Sequence, residues 1–185
     1  MKKSSLILWG ALIAILLFSF IFQLFVHSYV KEGKANIKPV QMLKQNRQLS
    51  HFTVIKASGR LKILMEQQDA VGIEVNAPDY IIDSIRTLII DDTLDISVVS
   101  SLKKKDSIIL RISNPEYHGL QFSSETSVES VGTLSGTNLD LKFSDKSSGN
   151  LELSYERLNY TNTSTGSVNL NGKINQLYFM EEKNN

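Results

Sequence analysis

The sequence predicts an all-β domain behind one N-terminal transmembrane helix, with a β-helix-like solenoid of about 19-residue coils in the C-terminal half. Three observations carry this expectation. An uncharged apolar run lies near the N-terminus, apolar and polar residues alternate from Leu49 onward, and a leucine returns every 19 residues near the C-terminus.

The apolar run is Leu6 to Val26, LILWGALIAILLFSFIFQLFV, 21 residues without a charge. As a helix it spans about 30 Å, the thickness of a bilayer core. Gln23 is its one strongly polar side chain, and Trp9 and Tyr29 stand near its two ends, where aromatic rings favour the membrane interface. A cleaved signal peptide is the competing reading. The run exceeds the roughly 7–15 apolar residues of such a peptide, and neither Gln23-Leu24-Phe25 nor Val26-His27-Ser28 offers a small-x-small cleavage site. Residues 1–27 therefore read as an anchor, with membrane lipid as the partner of residues 6–26. Met1-Lys2-Lys3 resembles a cytoplasmic leader, but Lys31, Lys34, Lys38 and Lys44 follow the helix, so basic residues do not set the orientation. A long C-terminal domain translocates regardless of nearby charge, and the expectation is N-terminus inside, domain outside.

Residues 28–48 are polar and weakly periodic. They read as a juxtamembrane linker with a short helix around Val40 to Gln48, and its lysines suit anionic headgroups as well as plain solvent. From Leu49 the period becomes two: Phe52/Val54, Leu61/Ile63/Met65, Ile73/Val75, Leu94/Ile96/Val98 and Ile108/Leu110/Ile112 alternate with polar partners. That is the pattern of strands with one buried face. Turn-forming clusters such as Ala57-Ser58-Gly59, Asn76-Ala77-Pro78-Asp79 and Asn114-Pro115 separate the runs. Only Asp79 to Ile90 has room for a brief helix, against its β-branched content. The domain spans 49–180 and a polar tail 181–185.

Leu120, Leu139, Leu158 and Leu177 recur at 19-residue spacing, each followed two residues later by an apolar residue: Phe122, Leu141, Tyr160 and Phe179. Small-residue turns (Thr126-Ser127, Ser148-Gly149-Asn150, Thr165-Gly166-Ser167) precede a second short run in each unit. A constant period with inward apolar positions suggests stacked coils about 4.8 Å apart, the leucines forming one core column and the aromatic-rich set a second. Leucine-rich repeats fail for want of their longer leucine and asparagine pattern and of a helical return. A meander of antiparallel hairpins and a β-sandwich remain the alternatives.

Charge is balanced, 20 Lys+Arg against 19 Asp+Glu, which gives no support for a nucleic-acid partner. Cysteine is absent, so disulfides, thiolate metal sites, cysteine nucleophiles and lipidated cysteine are excluded. His27, His51 and His118 lack motif partners and read as surface residues. Asp91-Asp92 and Glu181-Glu182 read as solvated acids. Asp140, Asp145 and Glu152 are the nearest approach to a catalytic or Ca²⁺-binding ladder, but their coil offsets do not repeat. Gly149 and Gly166 are isolated turn glycines, not a phosphate loop. No catalytic residue, cofactor or metal site is assigned. The outward positions Lys142, Asn150, Asn159, Thr161, Asn169 and Asn171 suit a glycan or a plain wet face, with Tyr155 and Tyr178 as the best exposed aromatic residues.

Phe52 to Gly59 followed by Leu61-Lys62-Ile63, the Asp92-Thr93-Leu94-Asp95-Ile96 strand, Arg111 to Leu120, and the Ser148 to Leu153 and Thr165 to Gly172 coils together resemble the bacterial autotransporter-adhesin "head GIN domain" family, common in the Bacteroidetes. The likeness runs from about Leu49 to Phe179. The turns at Ser123-Ser124-Glu125 and Asp145-Lys146-Ser147 depart from the family's Ser-Gly-Ser-Gly habit. The resemblance implies a right-handed β-helix-like fold and a cell-envelope location. The localisation expected for the chain is the bacterial inner membrane, single-pass, with the domain periplasmic. It implies no established activity. The function expected is a non-enzymatic envelope binding or structural module, whose partner is a glycan or another envelope protein. The alternative is an accessory subunit of a signalling or assembly complex, docked through its anchor helix. Three Asp-Ser/Thr-apolar tripeptides, at Ser84, Thr93 and Ser107, resemble the O-glycosylation signal of exported Bacteroidetes proteins.

Overall fold

The computed structural model describes residues 3–35, 40–99, 102–103 and 106–180, in two compact units divided after Pro39. The first unit is a single helix, α1 (Lys3–Ala35). Its stretch Trp9–Ser28 has mean hydropathy 2.3, enough in length and composition to cross a membrane. All twenty residues of that stretch are exposed.

The second unit is one curled sheet of eleven strands. In chain order they are β1 (Met42–Arg47), β2 (Val54–Ser58), β3 (Lys62–Gln67), β4 (Gly72–Pro78), β5 (Ile85–Ile90), β6 (Thr93–Val98), β7 (Ile109–Asn114), β8 (Gly119–Ser123), β9 (Ser127–Phe143), β10 (Ser148–Asn162) and β11 (Val168–Phe179). A 3₁₀ turn, η1 (Ile82–Ser84), precedes β5. The helix expected around Val40 to Gln48 is instead β1, paired antiparallel with β4. Its six residues are too few to hold a helix alone, whereas β4 offers a strand edge that satisfies their backbone groups.

β9 is the branch point of the sheet. Its first half pairs with β3 and leads on through β7 and β4 to β1; its second half pairs with β8 and leads through β2 and β6 to β5. β10 and then β11 continue from β9 along its length. Every pairing is parallel except those that close the far ends of the two arms, β4 with β7 and β1, and β5 with β6. The hairpin meander is thereby excluded for the C-terminal half.

Parallel registry places like on like. Ile55 lies between Leu94 and Leu120; Leu120 pairs with Leu141, Leu141 with Tyr160, and Tyr160 with Phe179. On the other arm Leu110, Ile63, Val128, Gly149 and Val168 follow one another. All of these inner positions except Gly149 and the exposed Phe179 lie in or against one core with Phe52, Tyr117, Phe122 and Phe143.

The expected columns are corrected at their first step. Leu139, Leu158 and Leu177 do pair in sequence, but Leu120 stacks on Leu141 and Phe122 on Phe143. The cause is a bulge in β9. Asn150 pairs with Glu129 but Glu152 with Thr133, so Ser130, Val131 and Gly132 stand opposite Leu151 alone. Gly132 has φ +85, a left-handed value that glycine takes without strain. Ser130 Oγ accepts the Glu152 N–H at 2.8 Å and satisfies the interrupted ladder. The first coil is therefore two residues longer than those after it, and the 19-residue step from Leu120 to Leu139 is a coincidence.

Candidate functional site

Two surface regions combine polar side chains with a concave or stitched backbone. The first surrounds the connection from β7 to β8. β7 lies on one side of the β2–β3 coil and β8 on the other, so Pro115 to His118 must cross that coil's end. Buried polar groups hold the crossing. Asn114 Nδ2 donates to Phe52 O at 2.7 Å and to Glu116 O at 2.5 Å. Tyr117 Oη donates to Glu66 O at 2.8 Å, and Tyr155 Oη donates to Tyr117 O at 3.0 Å. Gln67 Nε2 donates to Pro115 O at 2.8 Å while its Oε1 accepts the Ser135 N–H at 2.6 Å. Burial raises the pKa of both Tyr117 and Tyr155 well above the usual phenol value.

Outside this crossing the fold gathers four titratable residues from three separate stretches of sequence. His51 Nδ1 lies 3.6 Å from Asp92 Oδ1, and its Nε2 lies 3.7 Å from Glu116 Oε1. His118 Nε2 lies 3.4 Å from Glu116 Oε2. Thr53 Oγ1 donates to Asp92 from the inner side. The imidazoles and carboxylates are about half exposed, so solvent screens them and the pairs hold the rim only weakly. Among the described residues no group has the geometry of a metal site.

The second region is the seam where the β1 edge meets η1 and β5. Arg47 spends all five N–H groups there: Nε and Nη2 on Gln45 Oε1 at 2.9 and 2.8 Å, Nη1 on Ile85 O at 2.6 Å and Thr87 Oγ1 at 3.1 Å, and Nη2 also on Ile82 O at 3.0 Å. Burial lowers its pKa, opposed by the nearby Asp83 carboxylate. Beside it opens a cleft of about 570 Å³ lined by Leu88, Ile90, Arg86, Asp83 and Asp95. Two cations face two anions there, so the cleft favours neither charge. With every donor used, Arg47 is a clip across the seam and not a ligand contact.

The remaining residues singled out from sequence are dispersed. Asp140 Oδ1 accepts from Asn159 Nδ2 at 2.6 Å, and Asp145 Oδ2 accepts the Ser124 N–H at 2.9 Å in a turn. Tyr155, expected outside, is 3% exposed, while Tyr178 is exposed as expected. Ser84 is half-buried in η1, Thr93 is half-buried at the start of β6, and Ser107 is exposed in the loop before β7. The tail Glu181-Glu182 lies outside the described residues. Sequence reasoning missed the Arg47 seam and the His51–Glu116–His118 rim. No local motif marks either, because each is assembled by strand order.

The curled, mostly parallel sheet with antiparallel ends makes this an all-β domain. Residues 51–181 match the family described as "Putative auto-transporter adhesin, head GIN domain", and the chain belongs to that family. It is similar in fold to a solved "putative adhesin" from Bacteroides fragilis NCTC 9343, with TM-score 0.61 and 23% identity over 70% of this chain; it spans 61% of that protein's length. A second "putative adhesin", from Parabacteroides merdae ATCC 43184, aligns with TM-score 0.57 and 13% identity over 75% of this chain and 77% of its own. A "putative lipid binding protein" from Parabacteroides distasonis ATCC 8503 aligns with TM-score 0.54 and 15% identity over 72% of this chain and 68% of its own. No curated protein matches the chain.

Proposed function

We propose that this protein is a non-catalytic, adhesin-like binding module displayed from the bacterial inner membrane, with α1 as a single-pass anchor and the head in the periplasm. In this reading the parallel coils of β8 to β11 form a right-handed solenoid, the hand favoured for parallel crossover connections. The observation that carries the proposal is the Trp9–Ser28 stretch: twenty apolar-rich residues, all exposed, ahead of a head that folds as its own compact unit. Exposure of that much apolar surface costs about 25 cal/mol per Å² in water and is relieved by lipid. The outward Asn150, Asn169 and Asn171 are exposed and give the head hydrogen-bonding capacity toward a glycan or an envelope protein. Ser107, the most exposed of the three tripeptide hydroxyls, is the favoured position for O-linked sugar.

The test is extraction and labelling. The full chain should remain in membranes washed with alkaline carbonate. A cysteine placed at the exposed Thr137, in this cysteine-free chain, should react with an impermeant maleimide once the outer barrier alone is opened. Release by carbonate, an N-terminus found after His27, or labelling only after full lysis would overturn the reading. A partner that stays bound through the helix after the head is removed would favour the accessory-subunit alternative.

A further inference from the structure

The sheet has three free edges among the described residues, and they are not alike. β1 is six residues long and carries Lys44 and Arg47; β5 is also six residues and has the Arg47 guanidinium seated on its Ile85 carbonyl. Short, charged or covered edges resist pairing with other chains. β11 is twelve residues long, pairs only with β10, and holds one charge, Lys173. It also leaves the core open. Leu158 is 0% exposed, but Leu177, stacked on it, is 45% exposed; Phe179, stacked on Tyr160, is 74% exposed. A stacked β-domain normally ends in a layer with a polar outer face.

We propose that β11 pairs with β11 of a second copy, antiparallel about a two-fold axis, so that two heads close each other's open ends. The alternation of the strand makes it self-complementary. Its partners in β10 fix Val168, Leu170, Gly172 and Ile174 as inward before the bend, and Leu177 and Phe179 as inward after it. Inward positions are thus even-numbered in the first half and odd-numbered in the second. A two-fold axis between Ile174 and Asn175 lays the first half of one strand on the second half of the other. Leu170 then faces Phe179, and Gly172, which has no side chain, faces Leu177. Lys173 faces Gln176, so the strand's charge does not meet its own copy. A shift by one residue sets inward positions against outward ones and is disfavoured. Twelve residues extend about 40 Å, and the strand edge with its open core layer removes on the order of 1,000 Å² from water for the pair, the size at which specific interfaces begin.

The experiment uses the full chain in detergent. Light scattering should give a dimer of heads. Lys173 and Gln176 are both exposed, and a Lys173→Cys/Gln176→Cys variant should become a covalent dimer on oxidation. The two cysteines of one chain are too far apart along a strand to bridge each other. Thr137→Cys should stay uncrosslinked. Asn169→Lys/Asn171→Lys alters exposed outward positions, and its circular dichroism should match the parent while its dimer weakens at least about tenfold. A monomer at concentrations up to about 100 µM would overturn the proposal. So would a dimer that neither crosslinks through 173 and 176 nor responds to the added lysines, which would place the contact on α1 or another face. Backbone protection of β11 that arises only with an added envelope protein would give the edge to a different partner.

Discussion

Tyr155 Oη, in β10, donates a 3.0 Å hydrogen bond to the carbonyl of Tyr117, in the segment that crosses the end of the β2–β3 coil. Tyr155 thus ties β10 to the point where the chain leaves the order of its neighbours. The ring reaches that point because Gly136 lies beneath it: a Cβ there would come within 2.8 Å of Tyr155 Cε1.

The hydroxyl should therefore contribute to stability beyond the packing of the ring. Tyr155→Phe keeps the packing and leaves the Tyr117 carbonyl without this buried partner, which should cost about 1–3 kcal/mol. Gly136→Ala should also destabilise, by forcing the ring aside. Urea melts of the soluble head measure both; a Tyr155→Phe head as stable as the parent would remove the tyrosine from the crossing's support.

The same two tyrosines give a pH dependence. Burial raises both pKa values in the folded state above the ordinary phenol pKa of about 10. The folded state binds these protons more tightly than the unfolded chain does. Their contribution is fully present below about pH 10 and declines as pH climbs from there toward the folded values. Thermal melts between about pH 8 and 11 should show stability falling at the alkaline end, with a shallower fall in the Tyr117→Phe/Tyr155→Phe variant.

Much of the strand content was legible because alternation maps directly onto inner and outer faces: Ile63, Met65, Leu94, Ile96, Leu110 and Ile112 are all buried. The Leu139–Leu158–Leu177 stack was legible for the same reason. Register failed at Leu120 because a bulge adds residues without breaking the apolar pattern, and Ser130-Val131-Gly132 carries no signal strong enough to reveal one. β1 was missed because Met42 to Arg47 shows no apolar alternation and lies exposed at an edge, and its pairing with β4 is a tertiary choice. Gly149 was read as a turn glycine. It opens β10 as a core position, where the Phe143 Cζ lies 2.5 Å from where its Cβ would be. The His51–Glu116–His118 rim and the Arg47 seam depend on non-sequential strand order, which composition cannot convey.

Arg47 tests the seam. Its guanidinium satisfies the Ile82 and Ile85 carbonyls together, a fork that an ammonium cannot reproduce. Arg47→Met should cost about 1–3 kcal/mol, and Arg47→Lys should recover little of it. Hydrogen exchange in β5 and η1 should quicken in both variants while β10 remains protected. Uniform loss of protection across the head would show that the residue supports the whole fold and not the seam alone.

Leu158 and Leu177 occupy one stack but different layers. Leu158 has Leu139 on one side and Leu177 on the other, and solvent does not reach it. Leu158→Ala leaves a cavity between two filled layers and should cost about 2–5 kcal/mol. Leu177 has a neighbour on one side only and is already 45% exposed. Its truncation removes less buried surface and leaves a dent open to water, so the cost should be below about 1.5 kcal/mol in the monomer. In a paired head Leu177 would be covered, and Leu177→Ala should then weaken the dimer while barely moving the monomer's melting. Chemical denaturation at low and high protein concentration separates the two effects. Equal costs for Leu158→Ala and Leu177→Ala at low concentration would contradict the layered core.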